Sequence, residues 1–236
     1  MTRVKTLIMA TALLTLSAPC AFAADWSSAD NGPPPNSAQT GGVQAGSTIS
    51  NSQTTLQTQW SNMSADVDTI GGNAAFQGAA AGNLVDITTM NNTIVSNRQI
   101  VGSNAAIGSD MDIGANNIWG SVGIQNQVAC NGASVSTDPV LTKVNSYQEC
   151  QATDPAQQIN AKVTNISGTL AIQGSALGNS LEADSNADRM PITSQQINNS
   201  IGASTVNASA YNIGGAMSMS SSAIGNTAQI LHYSTK

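Results

Sequence analysis

From about Ser47 onward, apolar side chains recur at every second position rather than at every third or fourth. Leu170 and Ile172 alternate with small or polar residues ahead of a glycine. So do Ile197, Asn199, Ile201 and Ala203, and again Ile213, Gly215, Met217 and Met219. Period-two alternation bounded by Gly and Asn predicts strands joined by turns. The phrases "IGGN" at 70–73 and "IGG" at 213–215 supply residues that tolerate positive φ, and predict corners. One stretch fits two states. Ile49, Leu56, Trp60, Met63, Val67 and Ile70 are spaced 7, 4, 3, 4 and 3 residues apart, as on a helix face. Leu56, Thr58 and Trp60 also alternate, and the Thr, Ser, Asn and β-branched content lowers helix propensity. Strand is the expected state there.

The alternating segments resemble one another. "AAFQGAAAGNLVDI" from Ala74, "IVGSNAAIGSDMDI" from Ile100, "LAIQGSALGNSLEA" from Leu170 and "MSMSSSAIGNTAQI" from Met217 align without gaps. Gly82-Asn83, Gly178-Asn179 and Gly225-Asn226 recur, with Gly108-Ser109 as a weaker copy. These pairs are expected at the turns of a repeat. The starts lie 26, 70 and 47 residues apart. Those gaps suggest one, three and two units of about 23 residues, within the range of solenoids and arrays. The predicted fold is all-β, a β-solenoid of β-helix type. Each coil would bury its face only against its neighbours. Small side chains suit a narrow interior, and Asn and Gln at equivalent positions can form ladders.

The chain divides into three regions. Arg3 and Lys5 precede a short apolar run that ends in Ala21-Phe22-Ala23, a small-residue cleavage site, so residues 1–23 read as a secretory signal. Lipidation at Cys20 is the rival, disfavoured by Pro19 directly before it. Residues 24–46 carry Pro33-Pro34-Pro35 and read as an extended, disordered linker. Residues 47–236 form the repetitive β domain. The segment between Cys130 and Cys150 departs from the repeat and is expected to be an inserted loop closed by a disulfide, since two cysteines remain in an exported chain. In the loop-entropy picture such a closure stabilises by roughly 3 kcal/mol.

Composition narrows the function classes. The chain has 7 Lys and Arg, and loss of Arg3 and Lys5 with the signal leaves five against 13 acids, a net charge of −8. Such a chain is a poor partner for nucleic acid, whose phosphates demand cations, and for anionic membrane surfaces. Only 8% of residues are charged and 3% aromatic, while 40% are hydrophobic. Uncharged amides, hydroxyls and alanines fill the remainder, a composition suited to stacked β structure.

Candidate chemistry is sparse. Asp184, Asn186 and Asp188 have the alternate spacing that opens a calcium loop. Arg189 replaces its glycine and Gln195 its closing acid, so a solvated acidic turn is the favoured reading. Asp110 and Asp112 make a weaker pair. His232, the one histidine, has no partner in sequence that would make it a base or ligand. There is no nucleophile elbow and no phosphate loop. The expectation is a protein that is not an enzyme and needs no cofactor. Trp60 and Trp119 could each stack on a sugar ring.

The Gly-Asn phrases at 82–83, 178–179 and 225–226, with Gly108-Ser109, a secretory signal and a Gly/Asn/Ser/Ala-rich body, resemble curli-type and holdfast-anchor surface proteins of Gram-negative bacteria. Gln77 with Asn83 matches Gln173 with Asn179, whereas Ala105 and Ala106 depart from the pattern. The resemblance implies an exported structural role at the cell surface, outer membrane or beyond: an adhesin, holdfast anchor or amyloid-like fibre component. The implied partners are further copies of the chain, extracellular polysaccharide and outer-membrane anchor proteins. Two alternatives stay open. One is a single-chain β-helix that binds carbohydrate. The other is an outer-membrane β-barrel, for which three Trp, three Tyr and two Phe make poor girdles.

Overall fold

The computed structural model describes residues 47–137, 142–153, 155–185 and 190–232. The signal at 1–23 and the linker at 24–46 lie outside them. Twelve strands follow one another: β1 (Ser47–Thr55), β2 (Gln59–Ile70), β3 (Ala74–Thr89), β4 (Thr93–Val101), β5 (Ile107–Ile118), β6 (Val122–Thr137), β7 (Thr142–Cys150), β8 (Ala156–Ile166), β9 (Leu170–Ser185), β10 (Ile192–Asn198), β11 (Ala203–Ile213) and β12 (Met217–His232). Every third strand stacks on the same wall. The walls are β1-β4-β7-β10 (sheet A), β2-β5-β8-β11 (sheet B) and β3-β6-β9-β12 (sheet C). All pairings are parallel. The fold is a three-sided parallel β-helix of four coils, as the alternation predicts, and the ambiguous stretch before Ile70 is strand. Parallel stacking of successive coils is not the antiparallel neighbour pairing of an outer-membrane barrel.

The repeat is longer than the sequence comparison suggests. Ala74 pairs with Val122, Val122 with Leu170 and Leu170 with Met217, so one coil spans 48, 48 and then 47 residues. The unit near 23 is not a structural unit, because a coil needs three walls. Of the four aligned segments, those from Ala74, Leu170 and Met217 begin equivalent strands of sheet C. The segment from Ile100 does not: it runs from the end of β4 across a corner into β5. Its true counterpart is "VGIQNQVACNGASVST", β6. Residues 130–150 are therefore no insertion, since they supply the second half of β6 and all of β7. The alternation at 197–203 and at 213–219 likewise continues through corners, with β10 ending at Asn198 and β11 at Ile213.

The corner between sheets B and C carries the clearest repeat. "IGGN", "IWGS", "ISGT" and "IGGA" begin at Ile70, Ile118, Ile166 and Ile213, which stack in register. The residue before each isoleucine has φ near +55 to +60°: Thr69, Asn117, Asn165 and Asn212. Asn tolerates this left-handed region, whereas β-branched Thr is strained in it. Two positions after the isoleucine, Gly168 donates its N–H to Gly120 O and Gly215 donates to Gly168 O, both at 2.9 Å. A Cβ on Gly168 would lie 2.7 Å from the Gly120 carbonyl oxygen, so the coils stack this closely only on glycine.

The interior alternation buries one side of each strand. Met111, Ile113 and Ile118 of β5, Ile159 and Ile166 of β8, and Leu170 and Ile172 of β9 fill the space between sheets B and C. A smaller cluster of Ile87, Val95, Val135 and Val144 lies between sheets A and C.

Two substitutions test this corner. Gly168→Ala should lower stability by about 1–3 kcal/mol through overpacking, while Gly123→Ala, whose Cβ would meet nothing within 4 Å, should leave it nearly unchanged. Thr69→Asn should raise stability by about 1 kcal/mol through relief of backbone strain. Thermal and urea unfolding of the three variants beside the parent chain would check the order.

Candidate functional site

The long strands of sheet C bend in the middle, and the bend is where the sequence motif sits. Along β6 the inward positions run to Cys130 and resume at Asn131, so two consecutive residues are buried. β9 does the same at Gly178 and Asn179. The Gly-Asn pairs are thus strand bends and not turns between strands. Gly108 does not belong to them: it lies in β5 on sheet B, paired between Trp60 and Ala156. In the first coil the bend needs glycine, because a Cβ on Gly82 would come within 2.6 Å of Val101 Cγ2 and 2.7 Å of the Cys130 carbonyl oxygen.

The asparagines at these bends form a buried ladder. Asn83 Nδ2 donates to Asn131 Oδ1 at 2.8 Å, Asn131 to Asn179 at 2.7 Å, and Asn179 to Asn226 at 2.8 Å. Each also donates across the interior to a carbonyl of sheet A: Asn83 to Ile100, Asn131 to Glu149 and Asn179 to Ile197, at 2.8–2.9 Å. A second ladder answers from sheet A. Gln99 donates to Gln53, Gln148 to Gln99 and Gln196 to Gln148, at 2.8–3.0 Å. Its members return the cross-bond to sheet C: Gln53 to Leu84, Gln99 to Gly132, Gln148 to Ser180 and Gln196 to Thr227, all as donors to backbone carbonyls. In the middle coils each Asn reaches the carbonyl just after a Gln, and each Gln the carbonyl just after an Asn. Gln99, Gln148, Asn131 and Asn179 are fully buried. Buried amides are tolerated when every donor finds an acceptor.

Cys130 occupies the bend position that glycine holds in the other coils. It is bonded to Cys150, the last residue of β7, with Cα atoms 5.8 Å apart. The expected disulfide therefore forms, but it staples one coil to the next rather than closing a loop. Val101, Ala105, Ile107, Val128 and Ala152 pack around it.

The outer face of sheet B is the most distinctive surface. Trp60 lies over Gly108, where a Cβ would collide with its ring, and it is half exposed. Its Nε1 donates to Asn62 Oδ1 at 2.7 Å. Beside it run the columns Asn62–Asp110–Gln158 and Ser64–Asp112–Asn160–Asn207, with Lys162 next to Asn160 on this face. A shallow cavity of about 280 Å³ is lined by Asn62, Ser64, Asp110, Asp112, Gln158 and Asn160. A flat indole beside carboxylates and amides is suited to neutral polyhydroxyl ligands, which stack on the ring and bridge the polar groups. Trp119 is three-quarters exposed at the B–C corner and stands apart from this row. On sheet A, Arg98 lies 5.9 Å from the Tyr147 ring centre, and the Tyr147 hydroxyl donates to Glu149 at 2.7 Å. Burial pushes the Tyr147 hydroxyl up, and the bond to Glu149 adds in the same direction.

Of the calcium candidates, Asp184 lies one residue before the end of β9, while Asn186 and Asp188 lie outside the described residues. Among the described residues no three His, Cys, Asp or Glu side chains cluster to hold a metal. His232 ends β12. Ladders of Asn and Gln were expected, but the glutamines that form one were not located, though Gln53, Gln99, Gln148 and Gln196 recur at 46, 49 and 48 residues. A search at a period near 48 would have found it. Comparison with family models, curated proteins and solved structures gave no match.

Removing Gln148 strips partners from Gln99 Oε1, the Ser180 carbonyl and Gln196 Nε2 together. Gln148→Leu should therefore cost about 3 kcal/mol or more, given about 1–3 kcal/mol per buried group left unpaired. Gln195→Leu, at the exposed neighbour, should cost little. Replacing both disulfide cysteines by serine should cost roughly 3 kcal/mol. Urea unfolding of the oxidised proteins measures all three.

Proposed function

We propose that the chain is an exported structural protein of the bacterial cell surface, related in role to curli-type and holdfast-anchor proteins. It attaches extracellular matrix or polysaccharide to the outer envelope as an adhesin, anchor or fibre component. It acts with further copies of itself and with outer-membrane anchor proteins. The observation that carries this reading is the outer face of sheet B. There Trp60 lies flat over Gly108, next to a polar row of Asn62, Asp110 and Gln158 on a regular wall. A rigid parallel β-helix holds such a row at fixed spacing, as a repeating polymer requires. The disulfide and the reading of residues 1–23 as a secretory signal are compatible with export. A catalytic role has no comparable support, since the polar groups of the face are spread along a flat wall rather than converging on one point.

The single-chain carbohydrate-binding reading draws on the same face, and one experiment separates the two. Antibody to the folded domain should label intact, unpermeabilised cells, and deletion of the gene should release matrix polysaccharide into the medium. Trp60→Ala should weaken binding of purified protein to that polysaccharide about fivefold, the equivalent of ~1 kcal/mol. Unlabelled intact cells with unchanged polysaccharide retention would remove the surface role. Surface labelling with no change in the Trp60→Ala affinity would remove the sugar platform alone.

A further inference from the structure

We propose that copies of this chain stack head to tail into an open filament, the fourth coil of one copy seated on the first coil of the next, with both amide ladders running through the junction. The inference rests on the self-association in the proposed function and adds its polarity and register.

Among the described residues, no strand covers the first coil or the fourth. Met217, Met219 and Ile230 of β12 are 51%, 50% and 52% exposed, although Leu170, Ile172 and Ala183, their partners one coil earlier, are at most 2% exposed. These are inward positions with no following coil among the described residues. At the other end Met63, Val67 and Phe76 are only partly covered. Among the described residues each end also presents three strand edges with no strand paired to them, a template for further pairing.

The ladders define which end meets which. Their orientation is fixed, because each amide nitrogen must face the backbone carbonyl it serves. In the asparagine ladder donation runs from the first coil toward the fourth. It therefore ends with a donor at Asn226 and begins with an acceptor at Asn83. Asn83 Oδ1 accepts the Thr55 hydroxyl and keeps a second lone pair. In the glutamine ladder donation runs the opposite way. It leaves an acceptor at Gln196 and a donor at Gln53. Head-to-tail stacking joins donor to acceptor in both ladders at once. Head-to-head stacking would oppose like groups in each.

The same register suits the other columns. Val206 would meet Met63, Met219 would meet Phe76 and Ile230 would meet Ile87 in the interior, following the columns within the chain. On the outside Asp66 would meet Ser209 and Asp86 would meet Gln229, so no acid faces an acid, as among the paired strands within the chain. A contact between two different surfaces related by translation does not close, and it propagates.

The test uses the oxidised, signal-free chain. Electron microscopy and sedimentation should show unbranched filaments above a critical concentration. Asn226→Asp keeps the acceptor for Asn179 and removes the outgoing donor along with the 3.3 Å bond to the Gln196 carbonyl; Gln53→Glu keeps the acceptor for Gln99 and removes the outgoing donor along with the 3.0 Å bond to the Leu84 carbonyl. Each should raise the critical concentration about tenfold, ~1.4 kcal/mol per junction, with the strand circular dichroism unchanged. Polarity is read from Ser64→Cys and Asn207→Cys, the two ends of one outer column, about 14 Å apart within a chain at the usual strand spacing. A shorter bismaleimide should link the double variant into a ladder of multimers and leave each single variant unlinked. Dimers from either single variant, or unchanged assembly of Asn226→Asp and Gln53→Glu, would overturn the proposal. So would a monomer at every concentration, including one in which residues 24–46 are protected from protease because they cover the first coil. Filaments from purified protein with no surface labelling of cells would sink the surface role and leave this inference standing.

Discussion

The reciprocal exchange between the glutamines of sheet A and the asparagines of sheet C is the interaction on which the rest depends. A parallel β-helix satisfies its backbone along the stack, coil to coil, and nothing in that ladder holds one wall against another within a coil. Here each middle coil contributes two amides that reach across the interior, and each amide also bonds its equivalents above and below. The bonds in the stacking direction align the coils, and the cross-bonds set the distance between sheets A and C. A buried amide satisfied on all sides specifies register in a way that a slippery apolar contact does not. A one-residue shift of any coil would turn its ladder Gln and Asn outward and leave backbone carbonyls unpaired.

The other features follow from that arrangement. Because Asn must point inward directly after an inward residue, the strand has to bend, and the residue before it must be small. Gly82, Gly178 and Gly225 meet that need. Cys130 meets it by turning its side chain into a covalent bond with β7. With polar ladders between sheets A and C, most of the apolar packing moves toward sheets B and C, where the isoleucines stack. Few aromatics are needed, since each inward column repeats a side chain of similar size. The low aromatic content is thus a consequence of stacking and not a sign of a weak fold.

How much of this could be read from the sequence depends on whether the signal was local. Strand alternation, the "IGGN" corner and the pairing of Cys130 with Cys150 were legible because each lies within a short window or follows from composition. The coil length was not. The phrase at Ile100 imitates the sheet C motif but sits on a corner, while the true copy in β6 hides its Gly-Asn as Cys130-Asn131. A substituted glycine disguised the copy, and that substitution is what makes the disulfide possible. Runs such as 197–203 kept their alternation through a corner, because a corner does not interrupt the periodicity when polar residues occupy it. The Trp60 face was legible only in part. Trp60 is visible as an aromatic, but its neighbours Asp110 and Gln158 are 48 residues apart and meet only through the stack.

Inside and outside of the coils are under different constraints, which is how so plain a composition can carry varied outer walls. Inside, each column is constrained by its neighbours above and below, so Asn, Gln, Gly and aliphatics recur. Outside, a position needs only to suit a strand and to avoid a like charge beside it. Asp66 is followed by Gly114 and Lys162, and Asp112 lies between Ser64 and Asn160. The acids are thereby spaced along the walls instead of repelling in stacks, and an acidic chain can still pile its coils closely. A ligand-facing wall can then change residue by residue without disturbing the amide ladders behind it. Those ladders have a direction, so the molecule has two chemically different ends, whereas its walls keep one strand spacing from coil to coil while their outer side chains vary. The proposed ligand and the proposed junction thus draw on different parts of the molecule: the one on the regular strand spacing of a wall, the other on the direction of the ladders.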